Sequence, residues 1–186
     1  NRFKSGIGCE LRGKRLGIYA YGNVGRIVAN KAKALGMEVW AFDPFVPTEK
    51  MEAEGVTVPA TLEDLYANCD YISLHIPANE KTKGSINYEL LSKMPKGGCL
   101  VNTARKEVID EAGMEQLLAD RADLKYVTDI APANQAVLAE KFANRFFATP
   151  KKQGAETAEA NMNAGLAAAR QIVGFIQNGD VKFKVN

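Results

Sequence analysis

The chain has 186 residues, 46% hydrophobic and 25% charged, enough apolar material for one globular domain with a packed core. Its 24 basic and 22 acidic side chains leave a formal charge of +2, which argues against a nucleic-acid or membrane-surface partner. Three scattered cysteines, Cys9, Cys69 and Cys99, argue against a disulfide framework or a zinc motif, and read as reduced thiols of a cytoplasmic protein.

In chain order, short β-branched runs alternate with helix-like segments. Strands are expected at 15–20, 38–43, 71–77, 99–103 and 125–130, with a weaker sixth at 146–149. Helices are expected at 24–35, 62–67, 109–118 and 136–142. The pair Thr61 and Asp64 gives the second of these a capping-box start. A last, Ala-rich helix is expected at about 158–177, with Met162, Leu166, Ile172, Val173 and Ile176 among its larger apolar residues. Such alternation implies a doubly wound, Rossmann-like α/β domain with a parallel sheet covered on both faces. Ligands of these sheets sit at the carboxyl ends of the strands, so the residues just after each strand are the candidates.

The first strand runs into Ala20-Tyr21-Gly22-Asn23-Val24-Gly25 and then a helix. This is the Gly-x-Gly-x-x-Gly dinucleotide pattern with Ala in the first glycine position. Gly22 would admit a pyrophosphate to the backbone, Gly25 would let helix and strand pack closely, and the helix amides would face the phosphates. The second strand ends at Asp43, about 20 residues beyond the glycines, where an acid can accept both ribose hydroxyls and repel the extra phosphate of NADP. NAD is therefore the expected cofactor. The competing reading is a helix-capping glycine turn with an unrelated surface Asp.

Further segments accompany these: Glu10-Leu11-Arg12-Gly13-Lys14 leading into the first strand, then Gly22-Asn23-Val24-Gly25-Arg26, Leu74-His75-Ile76-Pro77, Val101-Asn102-Thr103-Ala104-Arg105, Val127-Thr128-Asp129 and Thr149-Pro150-Lys151. In this order they resemble the D-2-hydroxyacid dehydrogenases across nearly the whole chain, most of all the branch that oxidises D-3-phosphoglycerate. The resemblance implies that the chain is the NAD-binding domain of a two-domain enzyme, with residues 1–14 leading in from a substrate domain and 181–186 returning toward it. The start at Asn1, without Met, fits a fragment, which alone is not expected to turn over substrate. A homodimer formed through the cofactor domains is also implied, as is a small phosphorylated hydroxy acid bound together with the second domain.

By the same resemblance Arg105 holds the substrate carboxylate and polarises the reacting oxygen, a task that suits a planar guanidinium. Read from position alone, it is also a surface arginine opening a charged segment with Lys106 and Glu107. Most of the family place His after Thr-Pro, supported by Glu from an earlier loop. Here Lys151 holds the first position and Asn134 the second. Either activity is lost and an NAD-responsive binding module remains, or Lys151 replaces the pair as acid/base. A branch of the family has Lys there, and burial or a neighbouring cation can tune a lysine for proton transfer. Expected cofactor contacts are His75, Pro77, Thr82, Thr103, Ala104, Asp129 and Gly154, in addition to Tyr21, Gly22, Asn23, Val24, Gly25 and Asp43. His75, the single histidine, is assigned to the cofactor pocket and not to acid/base chemistry. No metal site is expected.

Overall fold

The computed structural model describes residues 8–152, 154 and 156–184. The first part of the expected lead-in (1–7) and the end of the expected tail (185–186) lie outside the described residues. The chain divides into two compact units, Asn1–Lys151 and Lys152–Asn186.

The first unit carries six parallel strands: β1 (Arg15–Tyr19), β2 (Glu38–Phe42), β3 (Tyr71–Leu74), β4 (Cys99–Asn102), β5 (Lys125–Thr128) and β6 (Phe146–Ala148). They lie in the order β2-β1-β3-β4-β5-β6. Side chains of a strand alternate between faces, and the two apolar clusters follow that alternation. Leu16, Ile18, Val39 and Ala41 join one cluster, whereas Trp40, Phe42, Ile72 and Leu74 join the other.

Helix α1 (Asn23–Ala34) buries Gly25, Ala29 and Ala32, a stripe at helical spacing whose small side chains let the helix lie close to the sheet. On the opposite face α3 (Leu62–Asn68) crosses β1 above Gly17, where an added Cβ would stand 2.6 Å from Ile72 Cδ1 and 3.1 Å from Cys69 Sγ. The expected capping box is present: Thr61 Oγ1 accepts from the Asp64 amide at 3.1 Å, and the Asp64 carboxylate accepts from the Thr61 amide at 3.2 Å.

Several elements differ from the sequence reading, each for a local reason. Two short helices, α2 (Thr48–Ala53) and α4 (Tyr88–Ser92), were not expected, being too brief to display a period; Asn87 caps the second through the Leu90 amide at 3.0 Å. The helix expected from 109 is α5 (Glu111–Asp120), because Ile109 is extended and its flanking backbone groups pair with Ile86. Helix α6 (Gln135–Lys141) falls close to its expected place. Strand β3 stops at Leu74, short of 77, where Pro77 has no amide to offer a ladder.

In the second unit α7 (Ala158–Asn178) starts at Thr157, whose hydroxyl accepts from the Ala160 amide at 3.0 Å, and ends at Gly179 in the left-handed region. Its apolar residues Met162, Leu166, Ile172, Val173 and Ile176 are exposed. Among the described residues no helix is long and apolar enough to cross a membrane.

Candidate dinucleotide and active site

Because all six strands are parallel, the segments that follow them emerge along one edge of the sheet. At that edge Ala20 takes φ 78°, the left-handed conformation that glycine ordinarily supplies. Alanine therefore makes the turn in the position that the pattern gives to glycine. An added Cβ on Gly25 would collide with the Ala20 carbonyl, which explains glycine at that position. An added Cβ on Gly22 would meet nothing within 4 Å, so the backbone there is open to a ligand. Asn23 and Val24 are exposed at the start of α1, whose first turn carries no acid to compete with a phosphate.

Asp43 follows β2. One carboxylate oxygen accepts from the Tyr21 amide at 2.7 Å and the other from the Phe45 amide at 2.8 Å. Each oxygen keeps a further lone pair, so the carboxylate can still receive ribose hydroxyls. Tyr21 is placed differently from its expected role as a direct contact. It is 1% exposed, and its hydroxyl donates to Glu54 at 3.1 Å, so it supports the loop from beneath. Burial and that bond push its pKa up to about 12. Glu54 also receives the Arg26 guanidinium, which holds its carboxyl below the usual range.

After β3, His75 is half-buried. Its Nε2 lies 3.0 Å from Ser73 Oγ, and burial lowers its pKa, which favours the neutral ring. Pro77 is exposed, and its carbonyl accepts from the Thr82 hydroxyl at 2.6 Å. Thr82 therefore closes its own loop, and a ribose contact would have to share that hydroxyl.

The ends of β4, β5 and β6 are joined to one another. The Asp129 amide donates to the Asn102 carbonyl at 3.2 Å, and Thr149 Oγ1 lies 3.0 Å from the Asp129 carbonyl. Thr103 and Arg105 are exposed, Ala104 is buried, and Arg105 Nη1 donates to the Ala104 carbonyl at 2.8 Å. Among the described residues Asp129 Oδ1 is buried with no hydrogen-bond partner. An orphaned acceptor at a strand end calls for a donor from a ligand, and a carboxamide of the kind carried by the nicotinamide ring would supply one. Open backbone at Gly22, a free helix start, the Asp43 carboxylate and this orphaned oxygen together fit NAD.

Lys151 is exposed at the end of the first unit, without the burial that tuning of its amine called for. Asn134, in the position of the family Glu, turns toward α5: its Nδ2 lies 3.3 Å from the Glu111 carbonyl and 3.4 Å from Glu115 Oε2. Gly154 belongs to the second unit and is exposed.

Two features escaped the sequence reading. Phe45, 92% exposed, borders a cavity of about 450 Å³ lined also by Phe42, Asp43, Pro44, Pro47 and Val58. An aromatic two residues beyond the ribose acid, outside any periodic run, was the available signal. The other is a set of buried polar residues, Ser73, Asn102 and Thr128, each within or ending a central strand and bonded to the segment that follows.

The profile of the D-isomer specific 2-hydroxyacid dehydrogenase NAD binding domain matches residues 2–151. A D-3-phosphoglycerate dehydrogenase of Methanocaldococcus jannaschii is 35% identical over 175 residues, 92% of this chain and 32% of its own length. A hydroxypyruvate reductase of Thermotoga maritima is 36% identical over 170 residues, 89% of this chain and 54% of its own. Among solved structures, the NAD+-bound 3-phosphoglycerate dehydrogenase of Entamoeba histolytica is 49% identical with a TM-score of 0.87, covering 99% of this chain and 58% of that one. The chain thus spans roughly a third to a half of the length of these curated relatives.

Proposed function

The chain belongs to the NAD-binding domains of the D-isomer specific 2-hydroxyacid dehydrogenases, and from that premise we propose that it is the cofactor half of an enzyme oxidising D-3-phosphoglycerate to 3-phosphohydroxypyruvate, in the cytoplasm and on the route to serine. Phosphoglycerate dehydrogenases among its relatives support this choice over a glycerate or lactate type. On this reading residues 1–186 serve cofactor binding, a second domain supplies the other wall of the substrate cleft, and the enzyme is a homodimer.

The observation that carries the reading is the joined row at the carboxyl ends of β4, β5 and β6, which sets Arg105, Asp129 and Lys151 on three successive strand-end segments. Held at Gly22, the start of α1 and Asp43, NAD would supply the acceptor for the hydride of the hydroxyl-bearing carbon. Arg105 pairs with the substrate carboxylate and draws electron density toward the reacting oxygen. The neutral amine of Lys151 takes the hydroxyl proton as the carbonyl forms; in the reverse direction its ammonium returns that proton to the oxygen. His75, held neutral beside Ser73, stays with the cofactor. The second domain would provide the burial that Lys151 lacks here. Thr103, Ala104, Pro77 and Thr82 are assigned to the cofactor with His75.

One observation favours a second reading, a non-enzymatic NAD-responsive binding protein. Asn134 faces α5 and offers Lys151 no acidic partner. The two readings separate in a protein that carries this chain with its substrate domain, assayed for NADH oxidation with 3-phosphohydroxypyruvate, hydroxypyruvate and pyruvate. Selective turnover of the phosphorylated keto acid is expected. Equal or better turnover of the others would move the substrate to the glycerate or lactate type, and NADH binding without any turnover would favour the binding protein.

A further inference from the structure

A buried polar side chain is tolerated where it is fully hydrogen-bonded, and what it bonds to shows what it organises. Asn102, at the end of β4, is 0% exposed. Its Oδ1 accepts from the Ala104 amide and its Nδ2 donates to the Arg105 carbonyl, both at 3.0 Å. The side-chain amide thus acts as an added peptide unit that closes the turn between the strand and Arg105. The Asn102 main-chain carbonyl, meanwhile, lies 2.9 Å from the Thr128 hydroxyl and 3.2 Å from the Asp129 amide. One residue therefore fixes the Arg105 turn and ties it to the neighbouring strand end.

The Arg105 guanidinium has no such anchor of its own. It is exposed, and among the described residues its one hydrogen bond goes to the Ala104 carbonyl, within the same turn. A long side chain amplifies any rotation of the backbone that carries it, and misplacement of a positioning group by about 1 Å can cost about 100-fold in rate.

We infer that Asn102 is the positioning residue for Arg105, acting on substrate through the backbone of the turn and touching neither substrate nor reacting atoms. The inference rests on the proposed role of Arg105.

The test is a double-mutant cycle in the two-domain protein, read as NADH-dependent turnover of the keto acid together with NADH affinity and thermal unfolding. Asn102→Ala is expected to lower kcat/KM by about 10- to 100-fold while NADH affinity changes less than about threefold. Added to Arg105→Ala, it should cost nothing further, because the group it positions is already gone. Asn102→Ser keeps an acceptor for the Ala104 amide but is too short to reach the Arg105 carbonyl. It should fold where the alanine variant does not, and show the same dependence on Arg105. Losses that multiply in the double variant, with Arg105→Ala itself disabling, would overturn this inference alone. Full turnover in Arg105→Ala would overturn the role of Arg105 and this inference with it.

Discussion

The Asp43 carboxylate receives the Tyr21 amide at 2.7 Å, so the acid that would read the cofactor ribose also braces the glycine-rich turn. Asp43→Asn retains the shape but loses the charge and part of the acceptor capacity. NADH affinity is expected to fall by about tenfold, equivalent to about 1.4 kcal/mol, and the preference over NADPH should shrink. Energy transfer from Trp40, the single tryptophan, to bound NADH provides the readout. Unchanged affinity for both cofactors would remove Asp43 from the site.

Ala20 sits at φ 78°, where an L side chain is strained. Ala20→Gly removes that strain but adds freedom to the unfolded chain, for a net gain of about 1 kcal/mol or less. Gly25→Ala, which would collide with the Ala20 carbonyl, should lose about 1–3 kcal/mol. Urea unfolding midpoints measure both, and a destabilised Ala20→Gly would contradict the assigned turn.

Tyr66 is wholly buried in α3, and its hydroxyl has no partner among the described residues. Burial pushes its pKa well above the ordinary tyrosine value. Removing an unsatisfied buried hydroxyl relieves a desolvation cost, so Tyr66→Phe should leave stability unchanged or raise it by about 1 kcal/mol. A loss above about 1 kcal/mol would mean that the hydroxyl has a partner.

Burial lowers the pKa of His75 below the unfolded value of about 6.5. In that window the unfolded chain binds more protons than the folded one. The stability linked to His75 is therefore fully present above about pH 6.5 and is lost as pH falls through the folded pKa. His75→Gln should flatten the stability profile below about pH 6.5, as read by thermal unfolding. An identical slope in the variant would assign the acid sensitivity to other groups.

The strand positions, the glycine-rich turn and the placement of Asp43 after a strand were legible because each rests on local pattern: β-branched runs, a turn that opens a helix, an acid at a strand end. The family motifs carried Arg105 and Asp129 to the same edge of the sheet. Less legible was where the strands stop. Thr103 and Ile130 continue the β-branched pattern of β4 and β5, yet Asn102 and Thr128 turn the chain by bonding to Ala104, Arg105 and Ile130. Such side-chain competition with the ladder has no periodicity to betray it. Tyr21 read as a ligand contact because it lies inside the motif, but its partner, Glu54, is 33 residues away. Asn134 likewise takes its partners from α5, far upstream in the chain.

We propose that this strand-end row performs 2-hydroxyacid oxidation with Lys151 as acid/base. The most direct measurement is single-turnover NADH oxidation by the two-domain protein with saturating 3-phosphohydroxypyruvate, comparing the parent with Lys151→Met. NADH affinity is expected within about threefold of the parent, with a hydride-transfer rate lower by about 100- to 10,000-fold. An unchanged rate in Lys151→Met would contradict it and send the search for the proton carrier elsewhere.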